Sequence, residues 1–457
     1  MKKCIRSAVL AAAILSTLAG CAMTAPYQRP ELTMPAQWDG VAAATDSTVS
    51  SDWWRQFGNS ELDGLMTQAL AANHDLAAAL SRIQQARAAA GMVRANQLPS
   101  VNLSASASNQ DGHSGTSQSS QLTASVSYEV DLWGGSAAGS EAAAARLDAT
   151  IYDRDAAALV LQADVASNYF QILALKDRLA IAHQNLEAAQ AVLALVETRY
   201  SKGANSALEV SQQRTSVLNI QAQIPSLEQD LRTTQTALAI LLGQAPQHFS
   251  VRGSTLSTLQ LPIVSPYQPA SLLERRPDIA RAEAQLTAAN ADIGAARAAL
   301  YPNLTLSAST AAAGVLSSGS TLVSSLVASM TQSIFDGGRL RGQVLQSEAR
   351  KTELVAVYLQ SALIGLKEVQ DGLGAVAASA ARHELLTQAA AEAQEAYRIA
   401  NVKYKAGSDD LLTLLDSQRT QLQTEDSRVQ ADLARYVSAI GLYKSLGGGW
   451  QSGKTAG

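Results

Sequence analysis

Five histidines, His74, His113, His183, His248 and His383, are the side chains best able to bind a metal or move a proton near neutral pH. They are scattered, with no H-x-x-x-H or C-x-x-C spacing, so no metal site is expected. Gly112-His113-Ser114-Gly115 is too short for a nucleophile elbow and lies between two strand patterns. Gly134-Gly135 and Gly337-Gly338 occupy matching strand-to-helix junctions and read as turn glycines rather than phosphate loops. Glu129 and Asp131 alternate onto a polar strand face, where solvation is their expected role. No catalytic set emerges, so the chain is not expected to be an enzyme or to need a cofactor.

One residue does promise chemistry. Lys2, Lys3 and Arg6 precede a short apolar run, Ala8 to Leu18, and then Leu18-Ala19-Gly20-Cys21. The run is too short to span a bilayer and reads as a secretory signal covering residues 1–20. Leu-Ala-Gly-Cys is a lipobox: small residues admit the signal peptidase, and the Cys21 thiol accepts diacylglycerol. The freed amine would then take a palmitoyl chain. Ala22 rather than Asp after the cysteine points to outer-membrane sorting and outer-membrane lipid. Cys4 leaves with the signal and Cys21 is consumed, so no disulfide can form. Loss of the three cations moves the formal charge from −4 to about −7.

The chain has 457 residues, 47% hydrophobic, 16% charged and 5% aromatic. Such apolar content argues against disorder. No mature stretch offers about 20 continuous apolar residues, so helical multi-span membrane proteins are excluded. The balance is acidic, which makes nucleic acid an unsuitable partner.

The mature chain is written twice. Leu98-Pro99-Ser100-Val101-Asn102-Leu103 resembles Tyr301-Pro302-Asn303-Leu304-Thr305-Leu306, and Arg199-Tyr200-Ser201-Lys202-Gly203 resembles Lys403-Tyr404-Lys405-Ala406-Gly407. The offsets, 203 and 204 residues, mark a duplicated half-protein rather than a solenoid unit. The expected organisation is an acylated N-terminal segment 21–59, a first repeat 60–256, a linker 257–270 rich in proline, a second repeat 271–447 and a tail 448–457.

Each repeat opens with a long helix, Ser60 to Gln97 in the first and Ser271 to Leu300 in the second, stopped by Pro99 and Pro302. Two period-two strands follow. Val101, Leu103 and Ala105 alternate with Asn102, Ser104 and Ser106, and Leu122 to Leu132 alternates likewise. Leu304, Leu306 and Ala308 repeat the pattern, and a looser strand runs from Leu326 to Ile334. Residues 109–120 and 312–322 read as loops. Such strands are long enough to cross a bilayer when tilted, although alone they fit a soluble antiparallel sheet equally well.

Long helices come next. Ala158, Val165, Ile172, Leu179, Leu186, Leu193 and Tyr200 recur every seven residues, with Leu161, Asn168, Leu175, Ala182, Ala189 and Val196 three further on. This is a sustained a/d heptad pattern. It predicts a helix of more than 60 residues from near Gly139, a turn at 201–205, and a return helix kinked at Pro225. The second repeat predicts a helix from Arg339 to Tyr404, a turn at 405–410 and a return to Ser445.

If the strands face lipid, four cannot close. An open sheet edge in hydrocarbon leaves backbone groups unpaired at several kcal/mol each, and the smallest barrels have about eight strands. Several copies must combine, and three would give a twelve-strand barrel. Narrow Ala-rich seams suit hairpins packed side by side as a hollow cylinder. The expected fold is an α+β membrane protein with long α-helical barrel hairpins plus four strands per chain.

Trp53-Trp54-Arg55-Gln56-Phe57-Gly58, Arg275-Arg276-Pro277-Asp278-Ile279, Ile293-Gly294-Ala295-Ala296-Arg297-Ala298 and Phe335-Asp336-Gly337-Gly338-Arg339 resemble motifs of the outer membrane factor family. These are the TolC-like exit ducts of tripartite efflux systems, here in the NodT-type lipoprotein branch. The resemblance runs through nearly the whole mature chain. It implies a homotrimer with a twelve-strand outer-membrane β-barrel and a periplasmic α-barrel tunnel. It also implies a periplasmic adaptor and an inner-membrane pump as partners, with small molecules as cargo. A type I protein secretion duct is an alternative, as is a structural coiled-coil envelope lipoprotein without a lumen.

The family closes its periplasmic tip around the second hairpin turn. By that resemblance Asp416 matches an acidic position of the constriction and Leu412 an apolar one. Tyr404 and Glu209 match a tyrosine and an acid that link neighbouring helices in the closed state. Asp409 stands where some relatives carry Arg, and Asp410 lies beside it in the turn.

Overall fold

The computed structural model describes residues 23–40, 49–112, 115–314 and 321–452; side chains at 111–117 are not described. The signal segment, Cys21 and His113 lie outside the described residues.

After a 3₁₀ turn, Trp53–Phe57, come helices α1 (Ser60–Ala72) and α2 (His74–Ala95). Strands β1 (Ser100–Gly112) and β2 (Gly115–Val130) follow. Then come α3 (Gly135–Ser201) and α4 (Ala207–Leu241). The second repeat supplies α5 (Pro277–Ala298), β3 (Asn303–Ala313), β4 (Thr321–Thr331), α6 (Arg339–Ala406) and α7 (Leu411–Ser445). The order of elements matches the expectation, and α3 and α6 have 67 and 68 residues.

Four details differ. The opening helix of each repeat is interrupted. Asn73 is extended (φ −65°, ψ 127°), and its side chain accepts from the N–H groups of Asp75 and Leu76, ending α1 and capping α2. Arg276 is likewise extended, because Pro277 follows it. Second, β1 and β2 extend well into 109–120, where Ser- and Gly-rich composition suggested a loop. Ser and Thr there sit in a regular ladder that pairs Asn109 with Gln118 and Asp111 with Thr116. Third, β4 starts at Thr321 and stops at Thr331, short of Ile334. Fourth, α4 runs as one helix from Ala207 to Leu241 and carries Pro225 in its interior.

The sheet order is β1-β2-β3-β4, all antiparallel. Its register aligns the apolar series: Val101 faces Val126, Val126 faces Ala308, and Ala308 faces Leu326. Tyr128, Leu306 and Ala328 form another such row. Because side chains alternate, one face is largely apolar and the other carries Ser, Thr and Asn. β1 and β4 are both edges, and no third partner strand occurs among the described residues.

The chain divides into two compact units. The first comprises the described part of Met1–Leu32 with Ala79–Asp153 and Asp278–Ser361, and it contains the sheet. The second comprises Thr33–Ala78, Arg154–Pro277 and Ala362–Gly457, and it holds the aromatic core and the hairpin turns.

In the second unit Trp53 stacks on Tyr443 at 5.1 Å, and Phe57 meets Phe170 at 4.9 Å. Leu62, Met66, Val165, Ile172, Leu238 and Leu242 fill the space around them. Glu61 accepts from the N–H groups of Arg252 and Gly253 at 2.7 and 2.8 Å and from the Tyr169 hydroxyl at 3.1 Å. Lys176 donates to the carbonyls of Val251 and Gly253. These bonds clasp the segment before the linker. The duplication recurs in the joints. Gly243 and Gly447, both with positive φ, pack on the backbone of Ala72 and Arg275, where a Cβ would collide. Asn73 donates to Leu241 O, and Arg276 donates to Ser445 O.

Candidate functional site: membrane face, N-terminal strap and hairpin turns

The strands have 13, 16, 11 and 11 residues. At about 3.3 Å per residue and tilted near 45°, even the shorter ones cover most of a hydrocarbon core of about 30 Å. The apolar face lies open: Val101, Leu103, Leu322, Leu326 and Met330 are each more than 60% exposed. A soluble sheet would bury that face, so this observation decides between the two readings the strands allowed. Where polar atoms fall on the apolar face they pair internally, as Thr310 and Ser324 do at 3.0 Å. At the foot of the sheet Trp133 stacks on Tyr301 at 4.8 Å and donates to Pro302 O. Ile334 and Phe335, just past β4, are both 90% exposed. Aromatic residues beside a strand end are the signature of a membrane–water boundary.

Within the first unit an N-terminal strap lies along α5. Arg29 makes a bidentate ion pair with Glu283 at 2.8 Å, and the Tyr27 hydroxyl reaches the same carboxylate at 3.4 Å. Burial and Glu283 together push the Tyr27 hydroxyl well above the ordinary phenol range. Asn290 donates to Ala25 O, and Gly294 leaves room for Thr24, whose hydroxyl a Cβ at 294 would strike. The strap thus runs antiparallel to α5. From Arg29 to Thr24 an extended chain covers about 17 Å, and from Glu283 to Gly294 the helix rises about 17 Å.

The hairpin turns carry the remaining candidates. Leu412 and Asp416, four residues apart on α7, are brought onto one exposed face. Leu412 is 65% exposed, and Asp416 pairs with Arg419 at 2.7 Å. A groove of about 780 Å³ separates this face from α4; Ser211, Thr215 and Asn219 line its far side. Asp410 caps α7 by accepting from Thr413 N at 2.8 Å, and that bond holds its carboxyl below the usual range. Asp409 accepts from Asp410 N, which shapes the turn.

Glu209 and Tyr404 are not joined within the chain. Glu209 forms a capping box with Ser206, accepting from its N–H at 2.6 Å and its hydroxyl at 3.0 Å. Tyr404 is buried among Val192, Val196, Ala400, Leu411 and Leu414. Its hydroxyl accepts from Asn205 Nδ2 at 3.0 Å, and its ring lies under the Arg199 guanidinium at 4.9 Å. Its repeat counterpart, Tyr200, is 49% exposed. Arg199 and Asn205 were not singled out from the sequence. Their signal was available in the duplication, since the matching positions are Lys403 and Asp409, a departure at both.

The outer membrane efflux protein pattern matches residues 65–244 and again 269–448, one match per repeat. The chain belongs to the outer membrane efflux protein family. The pyoverdine export outer membrane protein OpmQ of Pseudomonas aeruginosa is 40% identical over 95% of both chains. The probable outer membrane lipoprotein SilC of Salmonella typhimurium is 30% identical over 97% of this chain and 98% of its own. The solved outer-membrane channel OprN superposes with a TM-score of 0.88 at 30% identity, covering 94% of this chain and all of that one. The family assignment places this outer membrane efflux protein in the outer membrane, where it serves as the channel component of an efflux system. Its relatives are channel proteins rather than enzymes. Among the described residues no cluster of His, Cys, Asp and Glu could hold a metal ion.

Proposed function

We propose that three copies of the chain close a twelve-strand barrel in the outer membrane. The resulting passive duct would carry small molecules delivered by a periplasmic adaptor and an inner-membrane pump. The single observation that carries this reading is the four-strand sheet with an open apolar face and two unpaired edges. Such edges are untenable in hydrocarbon until another copy pairs with them. The duct performs no chemistry of its own and needs no cofactor; the pump supplies the energy. A chelator of the pyoverdine kind is the first cargo to test, given the likeness to OpmQ.

Cys21 carries N-palmitoyl and S-diacylglycerol in this reading. The strap supports it: its direction along α5 leads toward the start of β3, and Cys21 is only three residues, at most about 11 Å of chain, beyond Thr24. One lipid chain binds weakly, while several on one cysteine with a barrel hold firmly. Leu412 and Asp416 form the constriction, where three carboxylates would repel anions and attract cations.

Purified full-length protein in a planar bilayer tests the duct, alongside its mass under native conditions. Discrete conductance steps from a trimer are expected. A monomer without conductance would overturn the reading. Labelled palmitate should enter the wild type and not Cys21→Ser, and equal labelling would remove the lipid assignment.

A further inference from the structure

We infer that the resting tip of this chain is latched by Arg199 and Asn205 acting on Tyr404, and that Glu209 is not the latch. The inference rests on the duct reading. It departs from the link that the family resemblance implies, and four observations within the second unit carry it.

Arg199, in the last turn of α3, donates from Nη1 to Tyr404 O at 3.1 Å and from Nη2 to Lys405 O at 2.9 Å. Both carbonyls belong to the final turn of α6, and at Tyr404 O the guanidinium adds a second donor to the Gly407 N–H, which bonds it at 3.0 Å. A guanidinium there satisfies two acceptors at once and meets the negative end of the helix dipole. The same guanidinium covers the Tyr404 ring at 4.9 Å. From the loop that follows α3, Asn205 Nδ2 reaches the Tyr404 hydroxyl at 3.0 Å. The first hairpin therefore holds the end of the second through backbone, ring and hydroxyl of one buried tyrosine.

Glu209 is committed elsewhere. Its carboxylate serves the N–H and hydroxyl of Ser206, three residues away. Freeing it for Tyr404 would break the return half of the capping box at the start of α4 and leave Ser206 N without that acceptor. The arrangement is also one-sided: Lys403 takes the place of Arg199 in the second repeat, and Asp409 that of Asn205. The first hairpin grips and the second is gripped, so an opening that swings the second hairpin must break the Arg199 contacts. Arg199 is a positioning residue for the gate.

The test uses full-length lipidated protein in planar bilayers, with vancomycin entry into cells as a second readout. Arg199→Ala and Arg199→Gln should raise the open fraction by about tenfold, the scale of losing charge-assisted hydrogen bonds. Arg199→Lys should fall between them and wild type, because an ammonium cannot bridge both carbonyls and stack on the ring. Tyr404→Phe and Asn205→Ala, which remove the hydroxyl bond alone, should have smaller effects, and Glu209→Gln should leave the open fraction unchanged. In an Arg199→Cys, Lys405→Cys variant also lacking Cys4, a short bis-maleimide tether should restore closure. A structural defect would not respond to it.

Wild-type behaviour from Arg199→Ala, or opening by Glu209→Gln alone, overturns the latch. If the Arg199→Ala protein fails to assemble, Arg199→Lys and Tyr404→Phe decide, and wild-type conductance from both overturns it. No conductance from wild type or any variant overturns the duct reading itself and the latch with it, whereas a conducting wild type matched by Arg199→Ala removes the latch alone.

Discussion

Asp410 caps α7 by accepting a hydrogen bond from the backbone N–H of Thr413, at the position where Ser206 receives that of Glu209 in the first repeat. The two turns reach the same cap with different acceptors, and only the second is a carboxylate. The Thr413 bond lowers the Asp410 pKa below the usual carboxylate value. A depressed carboxylate contributes stability above its unfolded pKa and loses it as pH falls through the folded one. Acidification below the ordinary aspartate range should therefore fray the first turn of α7. Amide hydrogen exchange at residues 411–414 checks this. Asp410→Asn should keep the cap and abolish its pH dependence, while Asp410→Ala should fray the turn at all pH values.

Leu412→Ala with Asp416→Ala should raise passive conductance and increase antibiotic leakage. Leu412 projects unburied from α7, and Asp416 carries the charge one turn on. Removing both leaves the Arg199 latch in place, so the constriction should widen without the whole tip opening. Single-channel recordings separate the two: larger steps at unchanged open fraction for this pair, and a greater open fraction for Arg199→Ala. Unchanged conductance would remove both residues from the constriction.

Gly294→Ala should detach the N-terminal strap. A Cβ at 294 would meet Thr24 Cβ at 2.8 Å and strike its hydroxyl. Alanine otherwise favours a helix over glycine by about 1 kcal/mol, so α5 itself should not weaken. Limited proteolysis of residues 24–32 reports the strap, and thermal melting reports the fold. Faster cleavage with an unchanged melt is the expected pair of results.

Leu326→Arg should block assembly, and Ser325→Arg should not. Leu326 is 83% exposed on the apolar face of β4, and Ser325 points to the opposite face. A cation on the lipid side near mid-membrane costs about 2–4 kcal/mol, whereas lumen-side changes tune selectivity. Heat-modifiable trimer on a gel measures the first, and reversal potential in a salt gradient measures the second.

Periodicity was legible from the residues alone. The alternation at Val101 to Ser108 and Leu304 to Ser309, the heptads of α3 and the 204-residue echo between Tyr200 and Tyr404 are local or self-referential patterns. Each depends only on the spacing of a residue from its neighbours or from its copy, and each yielded the right element in the right order. The break at Asn73 was not legible, because no proline or glycine marks it. An asparagine ends α1 by capping α2 and bonding Leu241 O, and its choice depends on where α4 ends.

Function at the turns divided in the same way. The chain alone marked Cys21 and the duplicated hairpins, and by resemblance Leu412, Asp416, Tyr404 and Glu209. Tertiary structure decided the partners. Glu209 has Ser206 three residues away and Tyr404 nearly two hundred away, and the local cap captures its carboxylate. Tyr404 is left to Arg199 and Asn205, which reach it only because two hairpins distant in sequence pack their ends together. Linear spacing determines which element forms, whereas a side chain's partner is settled by competition among every group the packed fold brings within bonding distance.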